Sequence, residues 1–321
     1  MSAPLAIVLL DRDTMSAETE FRPPDVPHTL TVHARTAPQD VAARIAEANV
    51  VILNKVAIGA AELAAAPKLK LIAVAATGYD KIDLDACRAA GVTVANVREY
   101  AVNTVPEHTF ALILALRRSL VPYRASVNAG RWEEADQFCY FDYPIADLSG
   151  ATLGVVGDGS LGRSVARLGE AFGMRVLYSA YKGVDGMGPL YTPFEEVMRT
   201  ADVITLHCPL IPATRHMISD AEFAMMERRP LLINTARGGL VDEAALERAL
   251  EAGRISGAGF DVVTTEPPGA DHVMRRIAKR DDVILTPHVA WASREAIQAV
   301  ADQVTTIIEN FARGEPINAV T

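Results

Sequence analysis

Short apolar runs alternate with stretches of helical composition along this chain. Runs at residues 5–10, 50–53 and 71–75, and another at 92–95 after the Gly91 turn, have the length and aliphatic content of buried strands. Residues 39–48, 60–65 and 84–90 lie between them with helix-like spacing. A second series begins at Ala151, with strands expected at 152–156, 175–179, 203–206, 231–234, 257–260 and 283–285. Its intervening helices are expected at 161–171, 193–199, 220–226 and 243–251. Strand and helix in alternation predict an α/β fold with parallel sheets, here two doubly wound, Rossmann-like domains with a cleft between them.

The join is expected in the segment 104–121, which opens on Thr104-Val105-Pro106-Glu107, a capping-box spacing with proline in the first turn. The segment runs on through Phe110, Leu112, Ile113, Leu114 and Leu116, too apolar all round for a surface helix, and so predicts a helix wedged between domains. A last helical pattern at 293–312, ending before Gly314, is positioned to return to the N-terminal unit. The division expected is residues 1–102 plus 290–321 as one discontinuous domain and 103–289 as the other.

Composition narrows the function classes. At 321 residues, half of them hydrophobic, the chain has enough apolar sequence for two cores, and disorder is not expected. A net charge of −9 argues against nucleic acid or an anionic membrane surface as partner. The three cysteines, Cys87, Cys139 and Cys208, are widely spaced, which indicates neither a disulfide framework nor a metal site and fits a reducing cytoplasm. The first ten residues lack a basic start and read as a first strand, not a signal peptide, and no apolar run has the length of a membrane span.

Gly157-Asp158-Gly159-Ser160-Leu161-Gly162 follows an apolar strand and opens a helix, the context in which G-x-G-x-x-G binds a dinucleotide. The first glycine permits the turn, the second admits the pyrophosphate, and the third lets helix and strand pack. The amides of Ser160 and Leu161 would face the phosphates at the positive helix end. The acid expected about 20 residues later, which holds the ribose 2′-hydroxyl, is absent. Ala180 stands there, within Ser179-Ala180-Tyr181-Lys182. Lys182 and the two hydroxyls would attract a 2′-phosphate, which predicts NADP or dual use in place of NAD alone; the other reading has the ribose held by backbone and water with Lys182 solvated.

Downstream lies an ordered trio: Arg237 in I-N-T-A-R-G-G, Glu266 in F-D-V-V-T-T-E-P and His288 in I-L-T-P-H-V-A-W. A cation that grips a carboxylate, an acid that orients an imidazole and a histidine that moves a proton are what reduction of a 2-oxo acid requires. Each follows a predicted strand, where open α/β sheets place their ligands.

These segments, together with Ala75-Ala76-Thr77-Gly78-Tyr79-Asp80-Lys81-Ile82-Asp83, Asn103-Thr104-Val105-Pro106-Glu107-His108-Thr109, Leu206-His207-Cys208-Pro209-Leu210 and Gly259-Phe260-Asp261-Val262, resemble the D-isomer-specific 2-hydroxyacid dehydrogenase family, most closely its glycerate dehydrogenase/hydroxypyruvate reductase branch. The resemblance implies a substrate-binding (catalytic) domain built from both termini, a central cofactor domain and a homodimer. It implies that Arg237 binds the substrate carboxylate, that Glu266 holds His288 and that His288 exchanges the proton. It also implies cofactor contacts at Thr104, Ala236 and Asp261, with His207 and Thr214 either flanking the cofactor or structural. Substrate contacts are implied at Thr77 and Gly78, with Asn54 and Lys55 on a facing loop. Two departures stand out: Ala180 replaces the ribose acid, and residues 269–274 lack a His-Pro-Leu sequence.

The activity expected is NAD(P)-dependent interconversion of a small 2-oxo acid, hydroxypyruvate or glyoxylate, with its D-2-hydroxy acid. Glutamate at 266 disfavours formate oxidation, and the chain length disfavours a 3-phosphoglycerate dehydrogenase with an appended regulatory domain. Phosphite oxidation uses a similar trio, and a dinucleotide-sensing co-repressor of the same fold is the alternative from another class.

Overall fold

The computed structural model describes residues 4–321; Met1–Ala3, part of the stretch read as leading into the first strand, lie outside the described residues. The chain divides into two compact units, Met1–Ala101 with Ala292–Thr321, and Val102–Trp291.

In chain order the first unit begins with β1 (Leu5–Leu9), β2 (His28–Val32), α1 (Val41–Ile45), β3 (Val50–Leu53), α2 (Ala60–Ala64), β4 (Leu71–Val74), α3 (Leu84–Ala90) and β5 (Thr93–Asn96). The second unit opens with α4 (Thr104–Arg117), α5 (Leu120–Asn128) and α6 (Arg131–Ala135). It continues through β6 (Thr152–Val156), α7 (Ser160–Ala171), β7 (Arg175–Ser179), β8 (Tyr191–Thr192), α8 (Phe194–Thr200), β9 (Val203–Leu206) and α9 (Asp220–Met225). It closes with β10 (Leu231–Asn234), α10 (Glu243–Glu251), β11 (Gly257–Phe260), α11 (Val273–Ile277) and β12 (Val283–Leu285), after which α12 (Arg294–Ala312) belongs again to the first unit.

Both sheets are wholly parallel. The first has five strands in the order β2-β1-β3-β4-β5, and the order reverses between β1 and β3. Strands β3 and β4 are buried at every position, as hydrophobic runs covered on both faces should be. Helix α12 packs its apolar face on this unit, burying Ile297, Val300, Val304, Ile307 and Ile308, and the tail beyond it joins β5 through Val320 N–H to Val94 O at 2.9 Å.

The second sheet has seven strands in the order β12-β11-β10-β9-β6-β7-β8. Its switch point lies between β6 and β9, the place where ligands bind in open α/β sheets. Its cores hold fully buried Leu153, Ile204, Leu232, Ile233 and Phe260.

Three expectations need correction. The helix expected over 104–121 ends at Arg117, because Ser119 takes a left-handed backbone (φ 48°), and a new helix begins at Leu120. No capping box forms at Thr104: Asn103 is the N-cap, and the Thr104 hydroxyl donates to Ala290 O at 3.2 Å instead. Strand β2 was not expected, since its His-Thr-Leu-Thr-Val is an exposed edge strand with no continuous apolar run.

Candidate active site

Five segments with candidate chemistry leave the carboxyl edge of the second sheet. The glycine loop follows β6, His207 follows β9, Arg237 follows β10, Asp261 follows β11 and His288 follows β12.

The glycine loop is shaped by close approach. Gly157 has φ 107°, and a Cβ there would lie 2.7 Å from the backbone of His207 and Cys208 across the switch point; a Cβ at Gly162 would overlap the Gly157 carbonyl oxygen. Gly159 differs: its φ is −67°, and a Cβ built there meets nothing within 4 Å. Neither backbone nor packing requires glycine at 159, yet it is the N-cap of α7, where the free amides that begin at Ser160 and Leu161 favour an anion. Open space over this glycine is what close passage of a pyrophosphate needs, so the loop fits a dinucleotide. Asp158 beside it accepts from Tyr191 OH at 2.7 Å, a bond that holds its carboxyl below the usual range.

At the tip of β7 the groups expected to meet a 2′-phosphate have other partners. Lys182 Nζ lies 2.7 Å from Oε1 of buried Glu222 and donates to Met217 O at 3.0 Å. Ser179 is buried, and its hydroxyl donates to Ala180 O at 2.8 Å. The Lys182 charge is thus already matched within the protein, although its side chain, like that of Tyr181, is exposed.

Histidine 288 is held on three sides. Its backbone is left-handed (φ 55°), with its N–H donating to Asp261 O at 2.8 Å, and Trp291 Nε1–H donates to its carbonyl at 3.0 Å. The ring Nδ1 is 2.7 Å from Glu266 Oε2, while Glu266 Oε1 accepts from Val263 N–H at 3.1 Å. An ionised carboxylate only accepts, so the proton of that contact sits on Nδ1 and the far ring nitrogen, Nε2, is left to act.

Asp261, 1% exposed, fixes the loop beneath. Its Oδ1 accepts from Thr286 Oγ1–H (2.6 Å) and Val289 N–H (2.9 Å), and its Oδ2 from Ala290 N–H (2.8 Å). Because the Thr286 hydroxyl gives its proton to Asp261, its oxygen accepts from His108 Nε2 at 3.0 Å, which ties α4 to the loop. A non-glycine residue in a left-handed conformation persists only where its surroundings over-determine it, as they do here.

Arg237 is partly exposed at the end of its loop, with Nη1 donating to Ala236 O at 2.8 Å. Fully buried Asn234 sets that loop by donating to Arg237 O (2.9 Å) and accepting from Ala236 N–H (3.1 Å). The structure thus joins Glu266 to His288 directly and gives Arg237 an ordered base. His207 bonds Thr205 Oγ1 at 2.9 Å, and burial pushes its pKa down to about 4, so it stays neutral near pH 7. The Thr214 hydroxyl closes its own turn on Pro209 O at 2.7 Å.

In the first unit, Asn54 and Lys55 follow β3, and their amides donate to buried Asp11 at 2.9 and 2.7 Å. Thr77 and Gly78 follow β4, with Thr77 O accepting from Asn96 Nδ2 at 2.7 Å. No role was expected of Asp11, Asn96, His108, Asn234 or Thr286; Asn96 and Asn234 end β5 and β10, Asp11 and Thr286 lie just past β1 and β12, and His108 lies within α4. Among the described residues no group of His, Cys, Asp or Glu is placed to hold a metal ion, and no helix is long and apolar enough to cross a membrane.

Fold and glycine loop together define a dinucleotide-binding α/β protein of two doubly wound units. Residues 110–290 match the D-isomer specific 2-hydroxyacid dehydrogenase, NAD binding domain. The chain is 48% identical over 316 residues to a glycerate dehydrogenase of Methylorubrum extorquens, covering 98% of each. It is 32% identical over 285 residues to a hydroxypyruvate reductase of Blautia hydrogenotrophica, covering 88% of each. Among solved structures, D-lactate dehydrogenase of Aquifex aeolicus complexed with NAD and lactic acid superposes with a TM-score of 0.80 at 29% identity, covering 98% of each chain. This chain belongs to the D-isomer-specific 2-hydroxyacid dehydrogenase family and is an oxidoreductase of that family.

Proposed function

We propose that this chain is an NAD(P)-dependent D-2-hydroxyacid dehydrogenase that reduces hydroxypyruvate or glyoxylate, with His288 as the proton donor. The observation that carries the reading is the 2.7 Å contact of His288 with Glu266 on a loop fixed by Asp261. Glu266 engages Nδ1 and so aims Nε2, which in the doubly protonated ring gives its proton to the carbonyl oxygen of the substrate and leaves a neutral imidazole with its proton on Nδ1. Arg237 binds the substrate carboxylate and draws electron density toward that oxygen. The dinucleotide, when bound, supplies the hydride that reaches the carbonyl carbon. Gly159 and the first amides of α7 hold its pyrophosphate, Thr104, Ala236 and Asp261 stand toward its nicotinamide end, and the product is the D-2-hydroxy acid. Similarity to a glycerate dehydrogenase over nearly the whole chain supports the substrate class.

With no carboxylate at Ala180 and Lys182 engaged by Glu222, the β7 tip neither repels nor strongly attracts a 2′-phosphate. We therefore propose dual use of NADH and NADPH. We also propose a homodimer, supported by large exposed side chains between α4 and β6: Phe138 is 87% and Phe141 84% exposed.

The test is initial-rate oxidation of NADH and NADPH, side by side, with hydroxypyruvate, glyoxylate and pyruvate. The reading expects turnover fastest with one of the first two acids and kcat/KM values for the two dinucleotides within about tenfold. A preference beyond about a hundredfold overturns the dual-use inference alone. No turnover with any acid overturns the activity.

A further inference from the structure

The loop that carries Glu266 is itself held from behind by a second acid–imidazole pair. Glu243, 7% exposed, opens α10, but Asp242 already caps that helix by accepting from the amides of Ala244 and Ala245. The Glu243 carboxylate turns away to Thr264: Oε1 accepts its N–H at 2.7 Å and Oε2 its hydroxyl at 2.8 Å. His272, the N-cap of α11, presents Nε2 to Glu243 Oε2 at 3.4 Å. Its Nδ1 accepts from Met274 N–H at 3.3 Å, so the ring proton is on Nε2 and faces the acid.

Two successive amides of one turn are thus divided between two carboxylates, Val263 N–H to Glu266 and Thr264 N–H to Glu243. The peptide between them presses on Gly238, where a Cβ would overlap the Val263 carbonyl. Gly238 is the neighbour of Arg237. At this one peptide the loops of Arg237 and Glu266 meet, and Glu243 is the charged group that fixes it.

We propose that Glu243, backed by His272, is a positioning residue: it holds Thr264 so that the Glu266 carboxylate stays aligned on His288 Nδ1. The claim about rate rests on the dehydrogenase reading; the claim about alignment does not. Loss of Glu243 should slow the chemical step and leave dinucleotide binding intact, because its contacts all lie on the Glu266 side of the site.

The experiment is a double-mutant cycle of Glu243→Gln and Glu266→Gln on the full chain. Glu243→Gln should lower kcat by roughly tenfold or more with the dinucleotide KM within about twofold, and should cost less than about twofold in the Glu266→Gln background. Thr264→Val, which removes one of the two bonds at an exposed residue, should give a smaller loss with the same pattern and serves if Glu243→Gln fails to fold. The second readout is the downfield Nδ1 proton resonance of His288 in dinucleotide-free protein, which should shift or broaden in both variants. Independent, multiplicative losses in the cycle, or an unchanged resonance, overturn the proposal. If the wild type turns over no 2-oxo acid, the functional reading falls and the resonance alone decides this one.

Discussion

At the scale of single residues, the glycine loop separates folding from function with unusual clarity. Gly162 has no room for a side chain, so Gly162→Ala should destabilise the second unit by overpacking, about 1–3 kcal/mol, and lower Tm. Gly159 has room and an ordinary φ, so Gly159→Val should leave Tm nearly unchanged while weakening dinucleotide binding about tenfold or more, as read by fluorescence titration. Equal losses of Tm in the two variants would contradict the loop's assignment. The glycines, Arg237, Glu266 and His288 could be picked out from the sequence because motifs fix their spacing. Glu243, His272 and Asp11 could not, because each acts on a partner distant in sequence: Asp11 accepts from amides 43 and 44 residues away. Lys182 shows the converse. Its charge was legible, but Glu222, 40 residues on, was not visible as the group that binds it.

At the scale of elements, the longer strands of the second sheet were legible almost to the residue: β6, β9, β10 and β11 are buried at every position, and a parallel strand covered by helices reads as an uninterrupted apolar run. The six strands expected at 152–156, 175–179, 203–206, 231–234, 257–260 and 283–285 have those bounds in the structure. What was missed is short or exposed: the edge strand β2, the largely exposed helices α5 and α6, the two-residue β8 and the single-turn α11. Helix α12 depends on a contact no pattern announces. Glu309 accepts from Arg22 Nη1 at 2.6 Å and from Asp25 N–H at 2.9 Å, and these bonds hold its pKa down to about 2. The unfolded chain, with an ordinary carboxyl, binds the more protons between pH 4.5 and about 2, so the contact's contribution is complete above 4.5 and lost as pH falls through that window. Glu309→Gln should lower Tm at pH 7 and flatten its decline between pH 4.5 and 2; an unchanged acid limb in that variant would contradict the assignment. His207, held neutral down to about pH 4, adds loss of the same sign between pH 6.5 and 4.

For the molecule as a whole, one family, one dinucleotide loop and one carboxylate-held histidine support the proposed reduction of small 2-oxo acids. If a second copy covers the apolar segment between α4 and β6, Phe138→Asp with Phe141→Asp should shift sedimentation from dimer to monomer; a wild type that sediments as a monomer would remove that element of the proposal. In the proposed reaction the proton comes from His288. The most direct test is kcat/KM for hydroxypyruvate in His288→Gln, measured beside dinucleotide affinity in the same protein. A loss of about a thousandfold or more is expected, with affinity within about threefold of wild type. Activity surviving within about tenfold would contradict the proposal, because the proton would then be coming from somewhere else.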